Sequence, residues 1–268
     1  MTATEAGTAA GLRVAVGSVK GAPGVTTFAL ALAACWPAPG AVPRVVLVEA
    51  DPAGGDLGGR FGVPDVPGLA GLAVAARHDT GPGLWQAYAQ RLRVGAEVVV
   101  APASGRQAAA AVAALAELAP RLPSDVDLVW DVGRWYPGSP AWSMAVAADE
   151  VLVVCGASDA AIDHTAAFTV GHRLAARMSV VLVGQTRFRE PELVAAFGVP
   201  VAVRVPVDRR GAAVLGGSAR PRRGWSRVGV AAAARTVALA MRRRRATPGV
   251  LARTPVPAVL APTRDGAR

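Results

Sequence analysis

The feature that most constrains this chain is its first forty residues. The segment 12–18 (LRVAVGS) is a short run of β-branched and small apolar residues. A glycine-rich stretch, KGAPGVTT, follows it, and then an apolar run, 26–36 (TTFALALAACW), with helical spacing. A buried strand that turns through glycines into a helix is where α/β folds hold phosphate, because the backbone N–H groups of the loop and of the first helical turn point at the ligand. The pattern then repeats. After a proline-rich connection comes RVVLVEAD (44–51), and further Val/Leu runs lie at 98–101, 126–131, 151–154, 179–183 and 201–205. Ala-rich helical patterns separate them, such as 107–118 and 160–176. Near-continuous Val/Leu strands alternating with helices predict an α/β fold: one doubly wound, mostly parallel sheet of about seven strands with helices on both faces.

Between the second and third strands, residues 62–95 carry helical runs around 69–77 and 84–93. They predict a helical excursion rather than another repeat of the unit. Past Asp208 the alternation stops. An Arg- and Gly-rich loop leads to a last helix over about 226–245, and a proline-containing tail follows. The expected organisation is a disordered N-terminus (1–11), a main domain (12–217), an Arg-rich loop with a C-terminal amphipathic helix (218–246), and a disordered tail (247–268).

With 52% hydrophobic and 18% charged residues the chain carries enough apolar side chains for a packed core. Cys35 and Cys155 are 120 positions apart in apolar runs and make no disulfide framework, which points to a reducing, cytoplasmic setting. No apolar stretch reaches the roughly 18–20 residues of a spanning helix, and the start lacks the order of a signal peptide. The expectation is a cytoplasmic protein, with peripheral attachment to the inner face of the membrane open to it.

The net charge of +10 is uneven. Positions 1–208 hold 15 basic and 18 acidic side chains, whereas 209–264 holds 13 Arg and no acid. That asymmetry suggests an electrostatic surface, through Arg220 to Arg245, for an anionic membrane surface or DNA, or else solvated helix faces. In the last helix Val230, Ala234, Val237 and Met241 share one face, with Arg227, Arg235 and Arg242 opposite; it either packs on the sheet or meets an anionic surface. Of the 29 basic residues only Lys20 is lysine, which hints that a compact point charge is needed there.

The loop reads Lys20, Gly21, Ala22, Pro23, Gly24, Val25, Thr26, Thr27. A standard phosphate loop, G-x-x-x-x-G-K-[ST], has a Lys reaching the terminal phosphates and a hydroxyl on magnesium. Thr26 supplies the hydroxyl; Val25 stands where the Lys belongs. Loss of a charge-assisted hydrogen bond of about 1.5–3 kcal/mol weakens nucleotide binding by roughly 10–150-fold, and hydrolysis suffers more, since charge develops on the transferring phosphoryl. Pro23 also removes one N–H from the cradle.

These segments resemble the ParA/MinD group of P-loop proteins, whose deviant Walker A motif has the form KGGxGKTT. The resemblance runs in order over about residues 12–217. It implies that Lys20 is the signature residue reaching a partner's phosphates across a nucleotide-sandwich homodimer. It also implies that Glu49 and Asp51 match the acidic pair after the second strand, Asp51 being associated with water and magnesium, and that Asp131 matches the Walker B Asp. Pro206 and Asp208 match the late strand beside the nucleotide base. ATP and Mg2+ are the implied cofactors, with Thr26, Asp51 and Asp131 at the metal. An eroded loop is shared with the CpaE-like branch that accompanies Tad/Flp pilus or secretion machinery. Two functions follow: a positioning or assembly factor with weak or absent hydrolysis, or an active ATP-dependent dimerisation switch in partitioning or division-site placement.

Among the remaining residues, His78, His164 and His172 lack metal-ligand spacing and read as structural or surface residues. Trp135, Tyr136 and Trp142 read as packing under a loop or as a partner surface.

Overall fold

The computed structural model describes residues 11–21, 24–37, 45–122 and 125–246. The expected disorder at the two ends, and the placement of Ala22 and Pro23, lie outside that set, except for residue 11.

Eight strands form one sheet. They are β1 (Arg13–Ser18), β2 (Val45–Glu49), β3 (Gln90–Arg91), β4 (Glu97–Val99), β5 (Asp127–Arg134), β6 (Glu150–Gly156), β7 (Met178–Val183) and β8 (Val201–Val205), in the spatial order β3-β4-β2-β5-β1-β6-β7-β8. All pairings are parallel except β3 with β4. The seven strands expected from sequence are the seven parallel ones. The eighth, β3, lies within a stretch expected to be helical: α4 (Leu84–Tyr88) ends at Ala89, whose ψ of 145° turns the chain into the edge of the sheet.

One face of the sheet carries α1 (Val25–Ala34), α2 (Leu57–Phe61), α9 (Arg209–Leu215) and α10 (Gly229–Ala246). The other carries α3 (Leu69–Ala75), α4, α5 (Gly105–Leu118), α6 (Trp142–Ala147), α7 (Asp159–Thr169) and α8 (Glu190–Phe197). The run 160–176 is shorter than its sequence pattern, because α7 stops at Thr169 before Gly171, whose φ is 69°. β1, β5 and β6 read as unbroken apolar runs because both their faces are covered.

The last helix is part of this core rather than an appendage. Val230, Ala234, Val237 and Met241 are buried, and α10 lies along α1 and β8. Its C-terminal arginines fold back onto acids at the amino ends of β5 and β6: Arg242 pairs with Asp127, Arg244 with Glu150 at 3.1 Å and Arg245 with Asp149 at 3.6 Å. Of the two readings left open by the sequence, packing on the sheet or contact with an anionic surface, α10 takes the first, and Arg242, Arg244 and Arg245 are bound to the protein itself.

Candidate functional site

Three strand ends meet because of the order β2-β5-β1. β1 delivers the glycine-rich loop, β5 delivers Asp131, and the segment after β2 delivers Asp51. Gly21 and Gly24 have φ of 68° and 96°, the left-handed region that glycine enters without strain, so the chain can turn sharply into α1. No side chain caps α1, which leaves its first-turn N–H groups for a ligand. The loop opens on a pocket of about 280 Å3 bordered by Gly21, Gly24, Thr26, Thr27, Asp51 and Gly133.

Asp131 lies beneath this pocket and is 1% exposed. Its Oδ1 accepts from the Gly133 N–H at 3.1 Å, whereas Oδ2 is buried without a hydrogen-bond donor of ordinary geometry. Burial pushes its pKa up to about 7, against the opposing pull of the Thr26 hydroxyl and the Gly133 amide. An orphaned carboxylate oxygen beside a loop hydroxyl fits a divalent cation, which Mg2+ would bind with the rest of its shell from phosphate and water. Among the described residues no group of three or more His, Cys, Asp or Glu gathers as a cage. Asp51, half-buried, also has its pKa raised by burial; its Oδ1 accepts from the Ala53 N–H at 2.8 Å.

Glu49, paired with Asp51 in the sequence reading, does something else. Oε1 accepts from the Asp56 and Leu57 N–H groups at 2.7 and 2.9 Å, and Oε2 from Ala101 N–H at 3.0 Å. Its carboxylate holds the start of α2 against the end of β4 and is not offered to the pocket.

Val25 is 7% exposed and its side chain belongs to the core beneath α1. Lys20 is exposed, and its Nζ lies 2.9 Å from His164 Nε2 on α7, away from the phosphate pocket. Asp208 is engaged twice: Oδ1 accepts from Gly211 N–H at 2.8 Å, capping α9, and Oδ2 from Val230 N–H at 3.2 Å at the start of α10. With Pro206 it borders a second, largely apolar pocket of about 330 Å3, lined also by Phe28, Val183 and Val205 and sharing Gly24 and Thr27 with the first. A phosphate cradle adjoining an apolar slot is the arrangement a nucleotide requires.

Sequence reasoning missed Asp56, Arg60 and Arg134 on the phosphate pocket. Arg60 pairs with Asp56 at 2.6 Å. Arg134 reaches the pocket through a bulge: Val16 pairs with Asp131 but Gly17 pairs with Gly133, so Val132 is extra on β5. Residues three apart on a regular strand face opposite ways. The extra residue, followed by Gly133 at φ 57°, lets Asp131 and Arg134 serve one pocket.

The aromatic residues after β5 divide. Trp135 is buried and stacks on Trp142 with centroids 4.9 Å apart, and Phe168 and His172 complete the cluster. Tyr136 is exposed and has Arg134 above its ring at 5.7 Å.

A further groove, about 700 Å3, lies past Asp208. Arg209, Arg210, Arg220, Arg222 and Arg223 line it over Val214, Trp225 and Val228. No ion pair holds any of these five arginines among the described residues.

No family model and no curated protein matches the sequence. The fold has many solved counterparts. A ParA family ATPase from Chlorobium tepidum superposes with TM-score 0.66 at 18% identity, covering 86% of this chain and 98% of that one. The septum site-determining protein MinD from Pyrococcus horikoshii, complexed with Mg-ADP, gives 0.61 at 18%, covering 86% and 95%. The MinC:MinD cell division complex of Aquifex aeolicus gives 0.63 at 14%, covering 90% and 98%. At these identities the likeness establishes the fold: that of the ParA/MinD ATPases.

Proposed function

We propose that this protein is a ParA/MinD-like nucleotide-binding protein with weak or absent ATP hydrolysis, acting as a homodimeric positioning or assembly factor. The observation that carries the reading is Val25: the position that would send an ammonium to the phosphates holds a side chain packed into the core, while Gly21, Gly24, Thr26 and Thr27 border the pocket. Gly21, Gly24, Thr26 and Thr27 would hold the phosphates of ATP, the slot at Pro206 its base, and Thr26 with Asp131 the Mg2+. Asp51, which lines the same pocket, would orient a water. Bound ATP would supply the phosphates that complete the cation's shell and bring two copies together over Lys20, which must first leave His164.

The machine served is, in this reading, a pilus or secretion apparatus of the CpaE-like kind, because the eroded loop is the trait shared with that branch. The structural counterpart from Aquifex aeolicus is a complex with a second protein, MinC, and a protein partner is proposed here too. The groove at Arg209 to Arg223 is the proposed contact for an anionic partner, membrane surface or DNA, at the inner face of the membrane. Arg242, Arg244 and Arg245 are spent on the fold.

Titration calorimetry of the full chain with Mg-ATP tests the reading. Micromolar binding, weakened in Lys20→Ala, with negligible turnover supports it. Val25→Lys should then raise both affinity and hydrolysis. No binding up to millimolar ATP would leave a nucleotide-independent scaffold, and sustained hydrolysis by the unaltered chain would favour the active dimerisation switch, in which Thr26, Asp51 and Asp131 would serve.

A further inference from the structure

We propose that Arg134 supplies the phosphate contact that the loop has lost. This rests on the reading of the pocket as a phosphate site.

The argument begins with the cations on hand. Among the described residues, those bordering the 280 Å3 pocket are Arg60 and Arg134. Lys20 is not among them; its Nζ lies on His164. Arg60 is held by the Asp56 carboxylate, which shares the pocket and offsets its charge. Among the described residues Arg134 has no ion pair, and its guanidinium lies over the Tyr136 ring. It projects from the end of β5 opposite the loop, three residues after Asp131, at the position the Val132 bulge turns toward the pocket. A guanidinium offers a planar fork that binds two phosphate oxygens at once.

Charge decides what form the ligand takes. Arg60 and Arg134 line the same pocket as Asp51 and Asp56, so its charged lining is formally neutral, with the Asp131 carboxyl beneath. A free triphosphate meets only the N–H groups of the loop and the first turn of α1, with no net charge from the side chains, whereas its magnesium complex has fewer negative charges and brings the cation that the orphaned Asp131 oxygen lacks. Removing Arg134 leaves the lining with a net negative charge. An arginine on the strand end, outside the loop, neutralises bound phosphate without the loop-anchored approach of a lysine along the first turn of α1.

The test is calorimetry on the full chain with Mg-ATP and with magnesium tripolyphosphate, which lacks the base. Variants are Arg134→Ala, Arg134→Lys, Arg60→Ala and, for the same loss of charge at an exposed site far from the pocket, Arg243→Ala. Arg134→Ala should weaken both ligands tenfold or more; Arg134→Lys should restore part of the loss, and Arg243→Ala should change affinity less than twofold. Adding Val25→Lys to Arg134→Ala should recover affinity, since either cation serves the same phosphates. Omitting magnesium should weaken binding in every form.

If the unaltered chain binds both ligands and Arg134→Ala binds them equally well, the assignment to Arg134 is overturned and the nucleotide reading stands. Equal binding with and without magnesium overturns the charge argument. If the unaltered chain binds neither ligand, the nucleotide reading fails and the proposal with it.

Discussion

Replacing Arg242 with alanine asks whether the basic end of the chain is structure or contact surface. Asp127 has a side chain 4% exposed, and four parts of the fold converge on it. Oδ1 accepts from Leu12 N–H at 2.7 Å, and Oδ2 accepts from Trp36 Nε1–H at 2.7 Å and from the Arg242 guanidinium. The carboxylate thus joins the entry to β1, the segment after α1, β5 and α10. Stripping the partner from a fully buried ion pair costs about 3–5 kcal/mol. Arg242 keeps a quarter of its side chain in solvent and two N–H donors stay on Asp127, so the expected loss is about 2–3 kcal/mol. For a domain of this size that is a fall in Tm of roughly 4–12 °C. Urea unfolding followed by tryptophan fluorescence reads it, with exposed Arg243→Ala expected within about 0.5 kcal/mol of the unaltered chain. A double-mutant cycle with Asp127→Asn should give a coupling above about 1 kcal/mol. If Arg242→Ala unfolds like the parent yet binds anionic vesicles or DNA more weakly, the assignment of this arginine to the fold is refuted.

Asp131 gives a pH dependence with a definite sign. Its folded pKa of about 7 lies above the usual value near 3.9, so its contribution to stability is fully present below about pH 4 and is lost as pH rises through about 7. At about 1.4 kcal/mol per unit this amounts to at most about 4 kcal/mol. Thermal melts between pH 5 and 8 should show a slope that Asp131→Asn flattens, and added Mg-ATP should stabilise more at pH 8 than at pH 6. Gly133→Ala should cost about 1–2 kcal/mol in chemical denaturation, because φ is 57° and the new methyl group would meet the Asp51 carboxylate; Mg-ATP affinity should fall with it. The paired change Arg222→Glu and Arg223→Glu should leave Tm within about 2 °C, since both side chains are exposed, while weakening any salt-sensitive adsorption to anionic vesicles or DNA.

Local chemistry was legible and distant pairing was not. The seven parallel strands announce themselves as Val/Leu runs because burial on both faces removes any need for polar alternation. β3 has two residues and follows a helical run anchored by the buried Trp85, too short to leave a pattern of its own. Val25 could be read as a missing lysine from spacing alone. That its side chain joins the core, and that Arg60 and Arg134 reach the same pocket from other elements, required the strand order and a bulge. The apolar stripe of α10 was visible at helical spacing. The partners of its arginines, Asp127, Asp149 and Glu150, lie some ninety residues or more away in sequence, so the sequence left both readings of that run open. Asp208, matched by resemblance to a nucleotide contact, turns out to brace two helices with both of its oxygens.

The Glu49 clamp gives the pocket a mechanical linkage. One carboxylate gathers the amides of Asp56, Leu57 and Ala101, so the turn that carries Asp56 and Arg60 is fastened to the outgoing end of β4. A ligand that tugs on Arg60 would not pull a loose loop; it would load a lever whose far arm is the segment leading into α5. A displacement at the pocket would then reach the start of α5, on the other face of the sheet from α2.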